Sequence, residues 1–233
     1  MNGAPLVKAV LIIPALNEEP VIGLTLGQVP RALFKQIIVA DNGSSDRTAE
    51  IAREAGATVV SEPQRGYGSA CLRALASLPP EVDTVVFMDA DSSDDPREAV
   101  LLLQPILNGR ADFVLGSRTL GKAEQGSLQP HQRFGNELAT FLIRVLFGHN
   151  YSDLGPFRAI RLDSLQKLDM QDRNYGWTIE MQIKAVQQKL RIEEIPVSYR
   201  NRIGVSKVSG NLRASIMAGI KILWTVFRYR IHP

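Results

Sequence analysis

Short apolar runs alternate with segments of helical periodicity through the first half of the chain. The apolar runs are rich in β-branched residues and predict strands at VKAVLIIPA, QIIVAD, ATVVSE, DTVVF and DFVLGS. Between them, segments such as RTAEIAREAG and GSACLRALASL repeat apolar residues at helical spacing and predict helices. Strands that alternate with helices pair in parallel, so the pattern predicts an α/β fold with a mainly parallel sheet flanked by helices.

The second half carries longer helical patterns. FGNELATFLIRVLFG and WTIEMQIKAVQQKL predict helices, and RIEEIPVSYRNR predicts a strand. Neither an internal repeat nor a low-complexity linker interrupts the sequence. We therefore expect residues 1–233 to form a single domain.

The last segment, residues 211–233, predicts an amphipathic helix with basic residues beside its apolar stripe. The stripe covers about a third of the helix circumference and contains Ile216, Met217, Ile220, Leu223, Trp224, Phe227 and Ile231. Lys221 and Arg228 flank it. Two interpretations stay open: the terminal helix docks on the protein core, or it lies in the interface of a membrane.

Charge is distributed unevenly along the chain. Seven basic residues and no acidic residue follow Glu194, whereas the part up to Glu194 carries 20 basic and 24 acidic residues. A basic tail on an acidic body indicates an anionic partner: nucleic acid, a phospholipid surface or a phosphorylated substrate. No recognisable nucleic-acid-binding module accompanies the tail, so nucleic acid is not the expected partner.

Composition and apolar run lengths restrict the compartment. The 45% hydrophobic and 22% charged residues are typical of a globular protein, and the single cysteine, Cys71, excludes a disulfide within the chain. No apolar stretch reaches the about 18 residues that a membrane span needs, and no basic leader of a secretory signal precedes the first strand. We expect a cytoplasmic protein.

Polar residues cluster where the predicted strands end. The first strand ends in PALNEE, the second in DNGSSD, the fourth in DADSSDD and the fifth in GSR. Sheets of this class place their ligand sites at the carboxyl ends of the strands. The four clusters therefore predict one ligand-binding crevice and favour an enzyme or a nucleotide-binding protein.

Four aspartates, Asp89, Asp91, Asp94 and Asp95, crowd the end of the fourth strand. Because like charges at this spacing repel each other, a partner is expected. Asp89 and Asp91 face the same side in an extended chain, and two such oxygen ligands suit Mg²⁺ or Mn²⁺ on a nucleotide diphosphate. Asp94 and Asp95 precede Pro96 and are expected to cap the helix that begins there.

Two other interpretations of these aspartates fit less well. A calcium loop counted from Asp89 needs glycine at its sixth position and glutamate at its twelfth, but the sequence has Asp94 and Val100 there. The DADSS stretch resembles the nucleophile motif of haloacid-dehalogenase-like phosphatases, but that motif lies on the first strand and this one follows the fourth. A metal-assisted nucleotide site is the favoured reading.

Five motifs in one order resemble a known family. They are IIPALNEE, VADNGSSDRT, RGYGSACLRAL, FMDADSSDDP and VLGSR, and FRAI and YGWTIEMQIKA follow them in the second half. From about residue 10 to residue 210 the sequence resembles the GT-A fold glycosyltransferases of family 2, and among them the polyprenyl-phosphate sugar synthases of the dolichol-phosphate mannose synthase type. The resemblance implies a Rossmann-like GT-A sheet.

The resemblance also implies which residues bind the donor. These are Pro14, Ala15, Asn17, Glu18, Asp41, Gly66, Gly68, Asp89, Ala90, Asp91, Ser206 and Lys207. Asp89 and Asp91 would hold Mg²⁺ or Mn²⁺, and Asp91 would serve catalysis directly. Residues 1–118 would form the nucleotide-sugar-binding half, residues 119–210 the acceptor half and residues 211–233 the terminal helix.

The implied reaction moves a hexose, with inversion, from UDP-glucose or GDP-mannose to a polyprenyl or dolichyl phosphate. A phosphate oxygen is already anionic, so it needs cations rather than a base, and Arg118 and Arg133 are the candidates. The alternative acceptor is a hydroxyl of a lipid or of a soluble molecule, which requires a general base, Asp153 or Glu180. A lipid acceptor would place the protein peripherally at the cytoplasmic face of a membrane.

Overall fold

A computed structural model describes residues 8–204 and 212–231 of the chain. Within these residues lies one seven-stranded sheet with the strand order β3-β2-β1-β4-β6-β5-β7. The strands are β1 (Ala9–Ala15), β2 (Gln36–Asp41), β3 (Thr58–Ser61), β4 (Thr84–Phe87), β5 (Phe113–Ala123), β6 (Arg158–Arg161) and β7 (Ile192–Tyr199). The predicted α/β class and mainly parallel sheet are confirmed.

Eight α-helices accompany the sheet in the described part of the chain. They are α1 (Ile22–Gly27), α2 (Thr48–Glu54), α3 (Tyr67–Leu75), α4 (Ala99–Leu107), α5 (Pro130–Phe147), α6 (Leu162–Leu168), α7 (Trp177–Gln187) and α8 (Leu212–Ile231). Helix α5 begins before the predicted Phe134, because Gln129 and Gln132 form a capping box with Pro130 at the first turn. Strand β5 continues past the predicted Ser117, since its last residues pair with Ser198 and Tyr199.

One strand of the sheet, β6, runs opposite to the other six. Strands β1, β2, β3 and β4 pair in parallel, whereas β6 runs antiparallel to both of its neighbours, β4 and β5. As a result β5 runs in the same direction as β4. The carboxyl ends of β1, β2, β4 and β5 therefore meet at one edge of the sheet.

The sheet separates two hydrophobic cores. Successive residues of β1 alternate between them: Val10 and Ile12 pack with α3, α5 and α7, while Leu11 and Ile13 pack with α1, α2 and α4. Burial on both faces explains why this central strand reads as a continuous apolar run. It also anchors the strand ends from which the polar loops leave.

The terminal helix α8 packs on the protein through a face that its sequence pattern did not reveal. Val226 and Tyr229 are buried in the core, but Trp224, Phe227 and Ile231 of the predicted stripe are exposed. Helix α8 docks on the core, as the first of the two open interpretations expects, but it does so through Val226 and Tyr229 rather than through the exposed residues of the stripe. In the ranges 8–204 and 212–231, no helix is long and apolar enough to cross a bilayer.

Candidate active site

One cavity of about 470 Å³ opens at the sheet edge where the strand ends meet. Pro14 and Ala15 of β1, Asn42 after β2, Asp89 after β4 and Arg118 of β5 contribute to its wall. The convergence of four strand ends that the sequence predicts is thus observed. Aromatic side chains enclose the rest, namely those of Tyr67, Tyr175, Trp177 and Tyr199.

The two aspartates expected to hold a metal both face this cavity. Burial, and after it the negative charge of Asp91, raises the pKa of Asp89 to about 7. The Tyr67 hydroxyl donates to Asp89 Oδ1 at 3.1 Å. Ser93 donates to Asp91 Oδ1 through its backbone N–H at 3.0 Å and its hydroxyl at 2.5 Å. These hydrogen bonds hold the two carboxylates in place. Their mutual repulsion makes it unfavourable for both to be ionised unless a positive charge lies nearby.

The chemistry of this pair fits Mg²⁺ or Mn²⁺. Both ligands are hard oxygens, which these ions prefer, and both ions complete their shells with water and phosphate oxygens. In the described part of the chain, no group of three or more His, Cys, Asp or Glu side chains could hold a metal. A cation here would therefore depend on a phosphorylated ligand for its remaining coordination.

A basic residue that the sequence reasoning missed neutralises part of this charge. Arg202 follows β7, and its Nη1 lies 3.3 Å from Asp91 Oδ2 while its Nη2 lies 3.5 Å from Glu18 Oε1. It lines the cavity together with both carboxylates. The only sequence signal was its place in the acid-free tail, next to a strand end.

Arg118 reaches the cavity wall on the support of a buried carboxylate. Asp153 accepts from Arg118 Nε and Nη2, each at 2.8 Å, and from its backbone N–H at 2.8 Å. The guanidinium also lies 5.0 Å from the ring centre of Tyr199. Asp153 is fully buried, and its Oδ1 also accepts from the N–H of Leu154. Asp153 does not line the cavity but holds Arg118 in place, and its expected base role stays a prediction.

Asp94 and Asp95 differ in environment. Asp95 caps the turn at Pro96–Glu98 by accepting from the Arg97 N–H at 3.0 Å, as predicted, and the Arg97 side chain lowers the pKa of Asp95. Asp94 caps nothing: it is 1% exposed, and neither carboxylate oxygen has a hydrogen-bond partner among the described residues. Burial, followed by the charges of Asp89 and Asp91, raises the pKa of Asp94 well above its usual range.

Comparison with known sequences assigns the chain to a family. Residues 10–169 match the sequence model of glycosyl transferase family 2. The chain belongs to this family. The prediction of a family 2 glycosyltransferase is confirmed.

Two relatives agree with this assignment. A low-salt glycan biosynthesis hexosyltransferase of Haloferax volcanii is 34% identical over 201 residues, which are 83% of this chain and 48% of that protein, so the chain spans about half its length. A dolichyl-phosphate hexose transferase of the same organism is 32% identical over 200 residues, 85% of each chain.

A crystal structure provides the match in fold. Glucosyl-3-phosphoglycerate synthase from Mycobacterium tuberculosis, solved with Mn²⁺, UDP-glucose and phosphoglyceric acid, superposes with a TM-score of 0.77 at 24% identity, covering 96% of this chain and 80% of that one. At this identity the likeness shows the fold alone. The predicted GT-A fold is thereby confirmed.

Glu180, the other expected base of this glycosyltransferase, does not reach the cavity wall. It is fully buried on α7. Its carboxylate accepts from the backbone N–H groups of Gln171 at 2.9 Å and Asp172 at 2.7 Å, and pairs with Lys184 at 2.7 Å. In this position Glu180 organises the loop that precedes α7, and its expected base role stays a prediction.

Arg133, expected to hold an acceptor phosphate, is exposed on α5 and is not part of the cavity wall. Its Nε donates to the Leu128 carbonyl at 3.2 Å. The structure therefore brings Arg118, but not Arg133, to the cavity. Ser206 and Lys207, expected near the diphosphate, lie outside the described residues.

Gly66 and Gly68 lie directly against the protein's own backbone. A Cβ at Gly66 would lie 2.0 Å from the Arg173 carbonyl oxygen, and one at Gly68 would lie 1.9 Å from that of Asp172. Gly66 also has φ +143°, which favours glycine. Both glycines make room for the loop before α7, and Gly66 also lines the cavity, so their expected closeness to the nucleotide stays a prediction.

Some residues at the ends of β1 and β2 line the cavity, and others support the turn after β2. Glu18 and Ala90 lie in the wall as expected, but Asp41 and Asn17 do not. Asp41 Oδ1 accepts from the Ser44 N–H at 3.3 Å, and Asn17 Oδ1 accepts from the N–H of Ser45 at 2.8 Å, so both brace the turn after β2.

The residue after Asp41 reaches the cavity instead. Asn42 lines it and ties the Gly-rich segment by accepting from the Gly66 N–H at 2.8 Å. Sequence reasoning missed Asn42 because side chains alternate in direction at a strand end.

Proposed function

We propose that this protein is a metal-dependent, inverting hexosyltransferase that moves a hexose from UDP-glucose or GDP-mannose to a polyprenyl or dolichyl phosphate. The observation that carries the proposal is the presence in one cavity of a paired metal-type carboxylate site and a supported guanidinium. The first suits a nucleotide diphosphate, and the second suits the phosphate of an acceptor. The 32% identity to a dolichyl-phosphate hexose transferase supports this pairing of substrates.

On the donor side, Asp89 and Asp91 would hold Mg²⁺ or Mn²⁺. The ion would supply Lewis-acid neutralisation of the charge that develops on the departing nucleoside diphosphate. Arg202 binds the charged end of the donor from the other side and keeps Asp91 oriented through its contact at 3.3 Å. Tyr67 holds Asp89 through its hydroxyl.

On the acceptor side, Arg118 orients an anionic phosphate. Asp153 engages Nε and Nη2, so the guanidinium presents Nη1 in a fixed plane. A phosphate oxygen attacks the anomeric carbon, the bond from that carbon to the diphosphate oxygen breaks, and the electron pair leaves with the nucleoside diphosphate. No proton has to be removed, which suits a cavity from which both candidate bases, Asp153 and Glu180, are withdrawn.

A lipid acceptor requires contact with a membrane, and two helices offer one. Exposed apolar residues lie at matching intervals on α5 (Phe134, Phe141, Val145) and on α8 (Ile220, Trp224, Phe227, Ile231). The two helices pack against each other. Arg144 lies 5.3 Å from the ring centre of Phe141, and Lys221 lies 4.6 Å from that of Trp224. Apolar stripes rimmed by cations match an anionic bilayer surface, which supports a peripheral position at the cytoplasmic face of a membrane.

Label transfer tests the reaction. Labelled UDP-glucose and GDP-mannose are each incubated with a short polyprenyl phosphate and Mn²⁺ or Mg²⁺, and an acid-labile lipid product is expected from one donor. Chelation and Asp91→Asn abolish the product, whereas Asp163→Asn, at an exposed carboxylate paired with Arg161, leaves it unchanged. Metal-dependent donor hydrolysis without a lipid product would overturn the lipid acceptor and turn the search to hydroxyl acceptors.

Vesicle sedimentation tests the membrane contact. The double variant Phe141→Ser/Trp224→Ser is expected to lose most of its binding to anionic vesicles, because each substitution removes an exposed aromatic side chain that would enter the membrane interface. Leu24→Ser is the matched control, since Leu24 is exposed on α1, outside both stripes. Equal sedimentation of both variants would contradict the assigned surface.

A further inference from the structure

One loop joins the Gly-rich segment to the wall of the cavity. Residues 171–176 connect α6 to α7, and the loop's Asn174 and Tyr175 line the cavity. Its Arg173 carbonyl accepts from the Ser69 N–H at 3.0 Å. The close packing of Gly66 and Gly68 against the same backbone leaves no room for displacement. The position of this donor loop, residues 171–176, therefore sets the shape of the cavity.

Two buried carboxylates hold the donor loop in its conformation. Asp172 Oδ1 accepts from the N–H groups of Asn174 at 2.8 Å and Gly176 at 3.0 Å. Glu180 accepts from the N–H groups of Gln171 and Asp172, as described above. Buried carboxylates require compensating partners, because an uncompensated charge is strongly disfavoured away from water.

Helix α8 supplies those partners from the far end of the chain. Lys221 Nζ lies 2.8 Å from Asp172 Oδ2, and the Tyr229 hydroxyl donates to Glu180 Oε1 at 2.6 Å. Between them the buried Thr225 packs so closely that a Cβ at Gly176 would lie 2.9 Å from its Oγ1. One face of α8 thus contacts the donor loop through Lys221 and Thr225, and through Tyr229 it contacts Glu180, which supports the loop from α7.

We propose that Lys221 and Tyr229 are positioning residues of the donor site, and that α8 fixes the donor loop through Asp172 and Glu180. Both roles rest on the proposed function, since they act on the cavity assigned to the nucleotide sugar. Neither side chain touches the cavity itself. Their effect is to hold Asn174 and Tyr175 where a nucleotide contacts them.

The test measures nucleotide affinity in the full chain with the Mn²⁺ complexes of UDP and GDP. For the nucleotide that the wild-type protein binds, Lys221→Met is expected to weaken affinity about tenfold, because Asp172 loses its cation and releases the loop. Lys221→Arg restores affinity to within about twofold, since a guanidinium replaces the ammonium charge. Arg230→Met is the matched control, because it removes an exposed cation from the same helix.

Two further readouts separate positioning from general stability. The donor KM rises in Lys221→Met while kcat changes little, and amide hydrogen exchange accelerates in peptides that cover residues 169–178 but not in those that cover β1. Tyr229→Phe shows the same pattern with about a threefold loss of affinity, because Glu180 keeps Lys184. This second variant tests the contact even where Lys221→Met folds poorly.

Failure of the positioning roles and failure of the donor assignment look different. Wild-type affinity and wild-type exchange in both Lys221→Met and Tyr229→Phe would overturn the positioning roles. An Asp91→Asn variant that binds the nucleotide–Mn²⁺ complex as the wild type does would overturn the donor site, and the positioning roles with it.

Discussion

The residues expected to bind the donor and those expected to serve the acceptor are positioned by different parts of the fold. On the donor side, expected residues such as Pro14, Asp89 and Asp91 lie in the wall, because they leave the ends of parallel strands that are buried on both faces. By contrast, the two acidic residues that the motifs marked as candidate bases for an acceptor, Asp153 and Glu180, lie beneath the wall. The position of a side chain at the end of a paired strand can be predicted from the sequence. In a loop, which side chains face the cavity depends on how the loop packs.

The largest test of this contrast is Asp153→Asn. Breaking the buried pair with Arg118 is expected to lower the free energy of unfolding by about 3 kcal/mol and to reduce transfer at the same time, measured by urea denaturation and product formation. A general base would behave otherwise, with stability unchanged and only turnover lost. Intact stability with lost turnover would place Asp153 among the reacting groups after all.

Gly68→Ala tests whether the second half closes on the Gly-rich segment. Its Cβ would lie 1.9 Å from the Asp172 carbonyl oxygen, so the backbone must shift, and a loss of about 2 kcal/mol in unfolding free energy is expected. Gly135→Ala is the matched control: nothing lies within 4 Å of its Cβ, and alanine gains about 0.5–1 kcal/mol inside helix α5. Equal stability of the two variants in urea would refute the close contact.

Glu180→Gln sharpens the distinction between a support and a base. The amide cannot replace the carboxylate toward two N–H groups and Lys184, so unfolding free energy is expected to fall by about 1.5 kcal/mol. The dependence of kcat on pH keeps its shape, because no reacting group is removed. Loss of a titration step from the pH–rate profile would restore Glu180 as a base.

Arg202→Met has the smallest expected effect, and the informative result is whether the affinity for Mn²⁺ rises or falls. The guanidinium lies 3.3 Å from Asp91 and repels an incoming cation, so its removal is expected to tighten binding of Mn²⁺ alone about threefold. Free Mn²⁺ measured by electron paramagnetic resonance reports the affinity, with Arg161→Met as the exposed control. Unchanged or weaker Mn²⁺ binding would separate Arg202 from the metal site.

Helix α8 shows the same contrast within one element. Its exposed stripe, with Trp224 and Phe227, is strongly apolar and dominates the sequence pattern. The face that packs on the protein carries Lys221, Thr225 and Tyr229, whose polarity hides it from a periodicity of apolar residues. Packing against charged loop residues leaves no apolar signature, so only the tertiary structure revealed that face.

The sequence alone determined the α/β class, the mainly parallel sheet, the family and the convergence of strand ends, because apolar alternation and strand-end polarity are local properties that survive folding unchanged. Tertiary structure alone decided that β6 runs antiparallel, that Asp153 supports Arg118 and that Arg202 meets Asp91. It also decided that Asp94 is buried with no hydrogen-bond partner for its carboxylate within residues 8–204 and 212–231. Those facts depend on contacts between residues far apart in the chain. A spacing rule carries no information about which distant group will neutralise a buried charge.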